Sequence, residues 1–414
     1  MNNSYNVMNI DYLLIFILKY LDVNDLIKSR YTSKTFNKVI TTPNLNLFTN
    51  FELYFPDDKD YSLLQPFFHS IITTNTIHKL NLLLCENLSL AHYILSLINP
   101  LSLTELKIPL SILHTKNDLL PYTSLTSLSI KNMYFNECGM PQNILLLSNI
   151  MNMHALTKLK LNNIKYINAE FINYLQCDLT YLDLRDCMEF KIEDFEDYLL
   201  KHVDTLRTLK LDGENSNLEE LITIIPNMNV LSELTVSYCE NLNDRFLDMI
   251  TLISFQLKKL TLRKLRGVSK ECFERFFKDA NFENLEKLDF YDAARLGNEA
   301  AKYIAKNKKL KYVDLSWTEM IRNCAVVNIL KNCKLLEYLL LQGCKLLDEN
   351  MLECFFEDDN NDNSSDSRYK FTNLKKIDLT KCDLIVDKDI MKVIYKYNWI
   401  TIINYYGRDM RDPE

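Results

Sequence analysis

Residues 285–315 read LEKLDFYDAARLGNEAAKYIAKNKKLKYVDL, and the spacing of their large apolar side chains decides the architecture. Leu285, Leu288 and Phe290 stand at L-x-x-L-x-L spacing, and the frame restarts at Leu310, Val313 and Leu315. On a strand, alternate side chains face opposite ways, so Leu288 and Phe290 share one face while Lys287 and Asp289 share the other. Residues 300–305, between the two frames, read as a helix packing back over the strand. A strand, a turn, a helix and the next strand in line predict an α/β protein built on a parallel sheet.

Working outward, the frame recurs toward the amino end at Leu257/Leu260/Leu262, Leu231/Leu234/Val236, Leu206/Leu209/Leu211, Leu179/Leu182/Leu184 and Leu156/Leu159/Leu161. It continues at Leu125/Leu128/Ile130, Leu103/Leu106/Ile108 and Ile77/Leu80/Leu82, and toward the carboxyl end at Leu336/Leu339/Leu341 and Leu374/Ile377/Leu379. Successive frames are offset by 22 to 31 residues, with one interval of 38. That period is the leucine-rich-repeat window. The expected fold is a leucine-rich-repeat solenoid, with a curved parallel sheet on the concave side and helices on the convex side. One repeat cannot bury its own apolar face, so stability must come from stacking.

Three residues after the third anchor stands a cysteine in five units, Cys85, Cys187, Cys239, Cys344 and Cys382, followed by apolar residues at fixed offsets. The pattern resembles the cysteine-containing leucine-rich repeat over residues 77–398. There the cysteine reads as a small apolar filler at the turn. A degenerate frame at Phe48, Phe51 and Leu53 is expected to open the array, with capping repeat and linker over 44–76. An apolar run at 399–406 is expected to close it as a final strand, within a cap and tail at 399–414. The long interval holds the acidic stretch EDDNNDNSSDS at 357–367, expected as a disordered loop over 357–368.

Residues 9–40 carry a different pattern. Leu13, Leu14, Ile17, Leu18 and Leu21 lie at helical spacing, with Ile15 and Phe16 adding apolar surface on other faces, so a first helix must be covered on more than one side. A second helix follows through Asp25, Leu26 and Ile27, and a third from Ser33 through Phe36, Val39 and Ile40. IDYLLIFILKYLDVNDLIKSRYTSKTFNKVI resembles an F-box, above all in Tyr20-Leu21-Asp22, Asp25-Leu26 and the Ser33-Lys34-x-Phe36-x-x-Val39 ending. The family usually opens with Leu-Pro, where this chain has Asn9 and Ile10. A small three-helix F-box-like segment is therefore expected at 1–43.

An F-box followed by cysteine-containing repeats implies the substrate-recognition subunit of an SCF-type cullin-RING ubiquitin ligase. The resemblance implies that Leu13, Leu14, Ile17, Leu18, Leu21 and Leu26 dock a Skp-family adaptor, and through it a cullin, while the solenoid holds a protein substrate. Catalysis would then belong to partners. The alternative is a ligase-independent scaffold or inhibitor that uses the solenoid alone, with residues 9–40 as a cap.

The outward strand positions are where a substrate would bind. Lys107, Lys158, Lys160 and Lys210 make one stretch of this face basic, and Asp289, Asp314 and Asp378 make another acidic. Beside the acids are Tyr291, Tyr312, Trp317 and Tyr338, with Arg263 and Lys287 at their edge. Interfaces concentrate binding energy in Trp, Tyr and Arg, which makes these six the expected substrate site.

Other chemistry is scarce. A net charge of −7 argues against a nucleic-acid partner. No two cysteines form C-x-x-C, the six histidines are scattered, and the chain has only six glycines and no Gly-rich phosphate loop. No G-x-S-x-G elbow is present. No catalytic residue, metal or cofactor is expected. The run YLLIFIL at 12–18 lacks a basic lead-in and a cleavage site, and no stretch reaches the roughly 18 apolar residues of a membrane span. With an odd eleven cysteines, reduced thiols in a cytoplasmic or nuclear protein are expected.

Overall fold

The computed structural model describes residues 50–55, 65–74, 76–85, 87–113, 118–132, 148–164, 169–187, 190–212, 219–238, 240–356 and 371–412, with isolated positions 25, 29, 32 and 34. The chain is a leucine-rich-repeat solenoid that divides into two units, residues 1–182 with 186–189, and residues 183–185 with 190–414.

In the first unit, β1 (Asn50–Phe55), β2 (Lys79–Cys85), β3 (Glu105–Pro109), β4 (Ser127–Lys131) and β5 (Lys158–Asn162) pair in parallel and in chain order. Leu80, Leu106, Leu128 and Leu159 fall side by side in this register and are buried. A row of threonine hydroxyls stitches the strand starts. Thr126 Oγ1 donates to the Thr104 carbonyl at 3.1 Å, Thr157 to Thr126 at 3.1 Å, and Thr180 to Thr157 at 3.2 Å. Each bond satisfies a carbonyl that the parallel ladder leaves with spare capacity.

The strand β6 (Tyr181–Asp183) spans the change of unit along the chain. The second unit continues with β7 (Thr208–Asp212), β8 (Glu233–Ser237), β9 (Lys259–Leu262), β10 (Lys287–Asp289), β11 (Tyr312–Asp314), β12 (Tyr338–Leu340), β13 (Lys376–Asp378) and β14 (Thr401–Ile403). All pair in parallel in chain order. Here the residue before most strands carries charge, and Lys311 reaches Glu286 at 2.8 Å while Lys375 reaches Glu337 at 2.6 Å. Beyond β14 the chain folds back, with an antiparallel bridge from Ile403 to Asp409 and Met410 N–H donating to the Ile402 carbonyl. The final strand edge is thereby occupied by the chain's own backbone.

The helices behind the sheet follow their caps. Ser269 precedes the helix Lys270–Asp279, its hydroxyl accepting from Cys272 N–H at 3.1 Å and donating to Asp244 at 2.6 Å. That helix buries Cys272, Phe273, Phe276 and Phe277, and Phe276, Phe277, Phe282 and Phe290 form a ring cluster. Helices also run over Asp244–Ile253 and Asn298–Ile304, while Glu349–Phe355 winds as the tighter 3₁₀ form.

Two features depart from the sequence reading. The first concerns the cysteines. Cys85, Cys187, Cys344 and Cys382 of the motif are buried, and each does more than fill space, its thiol donating to a backbone carbonyl. Cys187, Cys344 and Cys382 donate their thiols to the third-anchor carbonyls of the preceding repeats, Leu161, Leu315 and Leu341, at 3.3, 3.2 and 3.1 Å. Burial pushes the Cys344 and Cys382 thiols up to about 12, which keeps them protonated donors. Cys239 lies outside the described residues.

The second departure is the backbone of the turn. In eight of the repeats the residue before the cysteine position is left-handed: Asn163, Asp186, Tyr238, Lys264, Asp292, Trp317, Gly343 and Lys381 have φ between 54° and 67°. At five of them the twist aims the N–H at the next repeat. Lys264 donates to Tyr291, Asp292 to Ser316, Trp317 to Gln342, Gly343 to Thr380 and Lys381 to Tyr405. A second hydrogen-bond ladder thus runs beside the sheet, made by turn residues alone.

Candidate functional site

The second unit brings together most of the expected substrate residues. Strand pairing sets Lys287 beside Tyr312 and Tyr312 beside Tyr338, all at the first outward position. The two tyrosine rings approach to 6.1 Å at 38°. Lys287 Nζ stands 4.7 Å from the Tyr312 ring centre, and Lys375 Nζ 5.9 Å from that of Tyr338. Arg263 lies 5.7 Å from the Tyr291 ring. The result is a row of half-buried aromatic rings bordered by cations, with Tyr338 the more open of the central pair at 37% exposure.

Trp317 takes a different place. It sits on the left-handed turn, its indole lies against Gly343 of the next repeat, and no ring contact joins it to Tyr312 or Tyr338 among the described residues. The site is therefore a tyrosine row on the sheet with Trp317 on the adjoining turn. Sequence spacing placed the tyrosines because both are strand positions; it could not place a turn residue.

The acidic stretch is the main correction. Asp289, Asp314 and Asp378 are buried, so the expected acidic surface is absent. Small period-two positions beside a tight turn are covered by their larger neighbours, and the carboxylates serve the fold. Asp314 accepts from Ser316 N–H at 3.0 Å and Asp378 from Thr380 N–H at 3.1 Å. Asp289 is gripped by Arg263, Nε to Oδ1 at 3.1 Å and Nη2 to Oδ2 at 2.7 Å, with Lys287 Nζ at 3.6 Å. The fork pairs two repeats, and the hydrogen bond with Asp289 holds the guanidinium in its charged form above its ordinary range.

The basic stretch is partly neutralised. In the first unit Lys107 and Lys79 flank Glu105 at 3.1 and 3.4 Å, while in the second Lys210 and Lys259 flank Glu233 at 2.6 and 3.3 Å. Burial alone would raise the Glu233 carboxyl, but the two lysines outweigh it and leave it below its usual range.

Among the described residues there is no group of three His, Cys, Asp or Glu able to hold a metal ion, and no helix is long and apolar enough to cross a membrane. The five leucines and one isoleucine expected to dock an adaptor, Leu13, Leu14, Ile17, Leu18, Leu21 and Leu26, lie outside the described residues, as does the acidic stretch 357–368.

The F-box domain model matches residues 11–48. Comparison with curated proteins gives no match. Among solved structures, the chain is similar to a chain of the yeast Rad7–Elc1 complex at 16% identity and a TM-score of 0.53, covering 96% of this chain and 93% of that one. It is also similar to an internalin of Listeria monocytogenes (12% identity, TM-score 0.39, 95% and 93% covered). A chain of the TLR13–ssRNA13 complex matches at 14% identity and a TM-score of 0.38, with 77% and 51% covered. The chain thus carries an F-box domain match at residues 11–48 ahead of strands that pair in parallel as a leucine-rich-repeat solenoid, the fold it shares with the chain of the Rad7–Elc1 complex.

Proposed function

We propose that this chain is the substrate-recognition subunit of an SCF-type cullin-RING ubiquitin ligase. The observation that carries the reading is the F-box match at residues 11–48 on a chain whose remaining length is a repeat solenoid. An F-box recruits a Skp-family adaptor and through it a cullin, and a repeat solenoid is suited to holding a protein. In this reading Leu13, Leu14, Ile17, Leu18, Leu21 and Leu26 contact the adaptor, and ubiquitin transfer takes place on partners, in the cytoplasm or nucleus. The similar yeast chain comes from a complex of two proteins, Rad7 and Elc1, which supports a role inside an assembly.

The substrate surface in this reading is the tyrosine row with its borders: Arg263, Lys287, Tyr291, Tyr312, Trp317 and Tyr338. Rigid aromatic rings on a sheet lose little freedom on binding, which is why such residues dominate interface energetics.

Affinity purification of the tagged full-length chain, with mass spectrometry of what co-purifies, tests both halves. A Skp-family adaptor should be recovered with the wild type and lost on combining Leu14→Asp with Leu18→Asp. Tyr312→Ala with Tyr338→Ala should keep the adaptor and lose a separate set of proteins. Recovery of the same partners without residues 1–43 would overturn the ligase reading in favour of a solenoid scaffold.

A further inference from the structure

Three carboxylates of the second outward row, Asp289, Asp314 and Asp378, occupy equivalent slots. Each slot is bordered by the first outward residue of its own strand and by a residue from the turn of the preceding repeat. For Asp289 these are Lys287 and Arg263, both within 4 Å of the carboxylate. For Asp378 they are Lys376, at 3.3 Å, and Gln342, which donates at 3.0 Å. For Asp314 the same two positions are filled by Tyr312 and Tyr291.

Asp314 is thus the exception in its row. Its residue is 4% exposed, it makes no ion pair among the described residues, and the hydrogen bonds its carboxylate accepts come from Ser316, from the backbone N–H at 3.0 Å and from the side-chain hydroxyl. An ionised carboxylate has room for several donors, and one buried without a cation is costly. Burial first, and the nearby Asp289 second, hold its carboxyl above the ordinary range. Tyr312, which borders this slot, and Tyr338 on the next strand each meet an ammonium group, from Lys287 and Lys375. What the slot lacks is its own cation.

We propose that Asp314 is the docking point for a lysine or arginine side chain of the bound protein, entering beside Tyr312 and Tyr338. The partner would supply at this repeat what neighbouring repeats supply for themselves. Specificity follows, because only a cation can match a desolvated carboxylate, whereas any flat apolar group can lie on the tyrosines. This rests on the reading of the tyrosine row as the substrate surface.

The probes are four pools of nonapeptides, random except for a central lysine, arginine, norleucine or glutamate, applied to immobilised full-length protein. The wild type should retain the lysine and arginine pools about tenfold over the other two. Asp314→Asn, which preserves the bond from Ser316, should bring that ratio to about one. Its melting temperature should equal or exceed the wild type's, which separates loss of recognition from loss of fold. Equal retention of all four pools by the wild type, or a preference that survives Asp314→Asn, would overturn the proposal. Tyr338→Ala reports on the parent reading separately: it should weaken every pool alike, and unchanged retention would remove the tyrosine row as the binding surface.

Discussion

The indole of Trp317 fills the space a side chain on Gly343 would need: a Cβ at Gly343 would fall 2.6 Å from its Cε3 atom. Gly343 is also left-handed, with φ at +67°. Gly343→Ala therefore faces a backbone cost of about 1 kcal/mol and an overpacking cost of about 1 to 3 kcal/mol. Urea denaturation followed by circular dichroism should show the sum. Adding Trp317→Ala should recover the packing part and leave the backbone part.

Arg263→Ala would leave Asp289 fully buried with Lys287 as its remaining cation. Removing one member of a buried pair costs about 3 to 5 kcal/mol, but Arg263 is 43% exposed and water can replace it in part, so about 1 to 2 kcal/mol is expected. Arg263→Lys should restore less than half, because an ammonium cannot form the two parallel bonds. Thermal melting of the three proteins measures the ranking.

Asp314 and Asp378 stand in equivalent positions yet titrate in opposite directions. Burial pushes both up; Asp289 adds to the rise at Asp314, while Thr380, Gln342 and Lys376 outweigh it at Asp378. A raised carboxyl favours the fold when protonated, and this contribution is lost as pH rises through its folded value; a lowered one contributes at higher pH and loses that as pH falls. At neutral pH, Asp314→Asn should be at least as stable as the wild type and Asp378→Asn less stable by about 1 to 2 kcal/mol. The gap between Asp314→Asn and wild type should close as pH drops to about 4. Denaturation midpoints across that range check the sign.

Among the described cysteines, Cys324 alone is exposed. Iodoacetamide should alkylate it in the native protein, while Cys344 and Cys382, with thiols at about 12, react only in urea. Peptide mass spectrometry distinguishes the two populations.

Much of this was legible in the residues. Leu288, Val313, Leu339 and Ile377 announce adjacent strands because burial on one face of a sheet admits only large apolar side chains at a fixed interval, and the pairing of Lys287, Tyr312, Tyr338 and Lys376 follows from that register. The burial of Asp289 and Asp314 was not legible. Aspartate in an outward strand position looks solvated until the height of its neighbours and the turn N–H it accepts are known. The left-handed turns were hidden for a related reason: glycine marks such a site at Gly343, but Tyr238, Lys264, Trp317 and Lys381 occupy it with side chains that disfavour it.

Those four residues have a consequence for engineering. Each holds a conformation that costs an L-residue with a bulky side chain about 1 to 2 kcal/mol, tolerated because the N–H bond to the following repeat requires it at Lys264, Trp317 and Lys381. Replacing Lys264 or Lys381 with glycine or asparagine would keep the bond and relieve the torsion. The turn edge is thus a reserve of thermostability that can be drawn on at Lys264 and Lys381 one repeat at a time, without changing the row of Tyr312 and Tyr338.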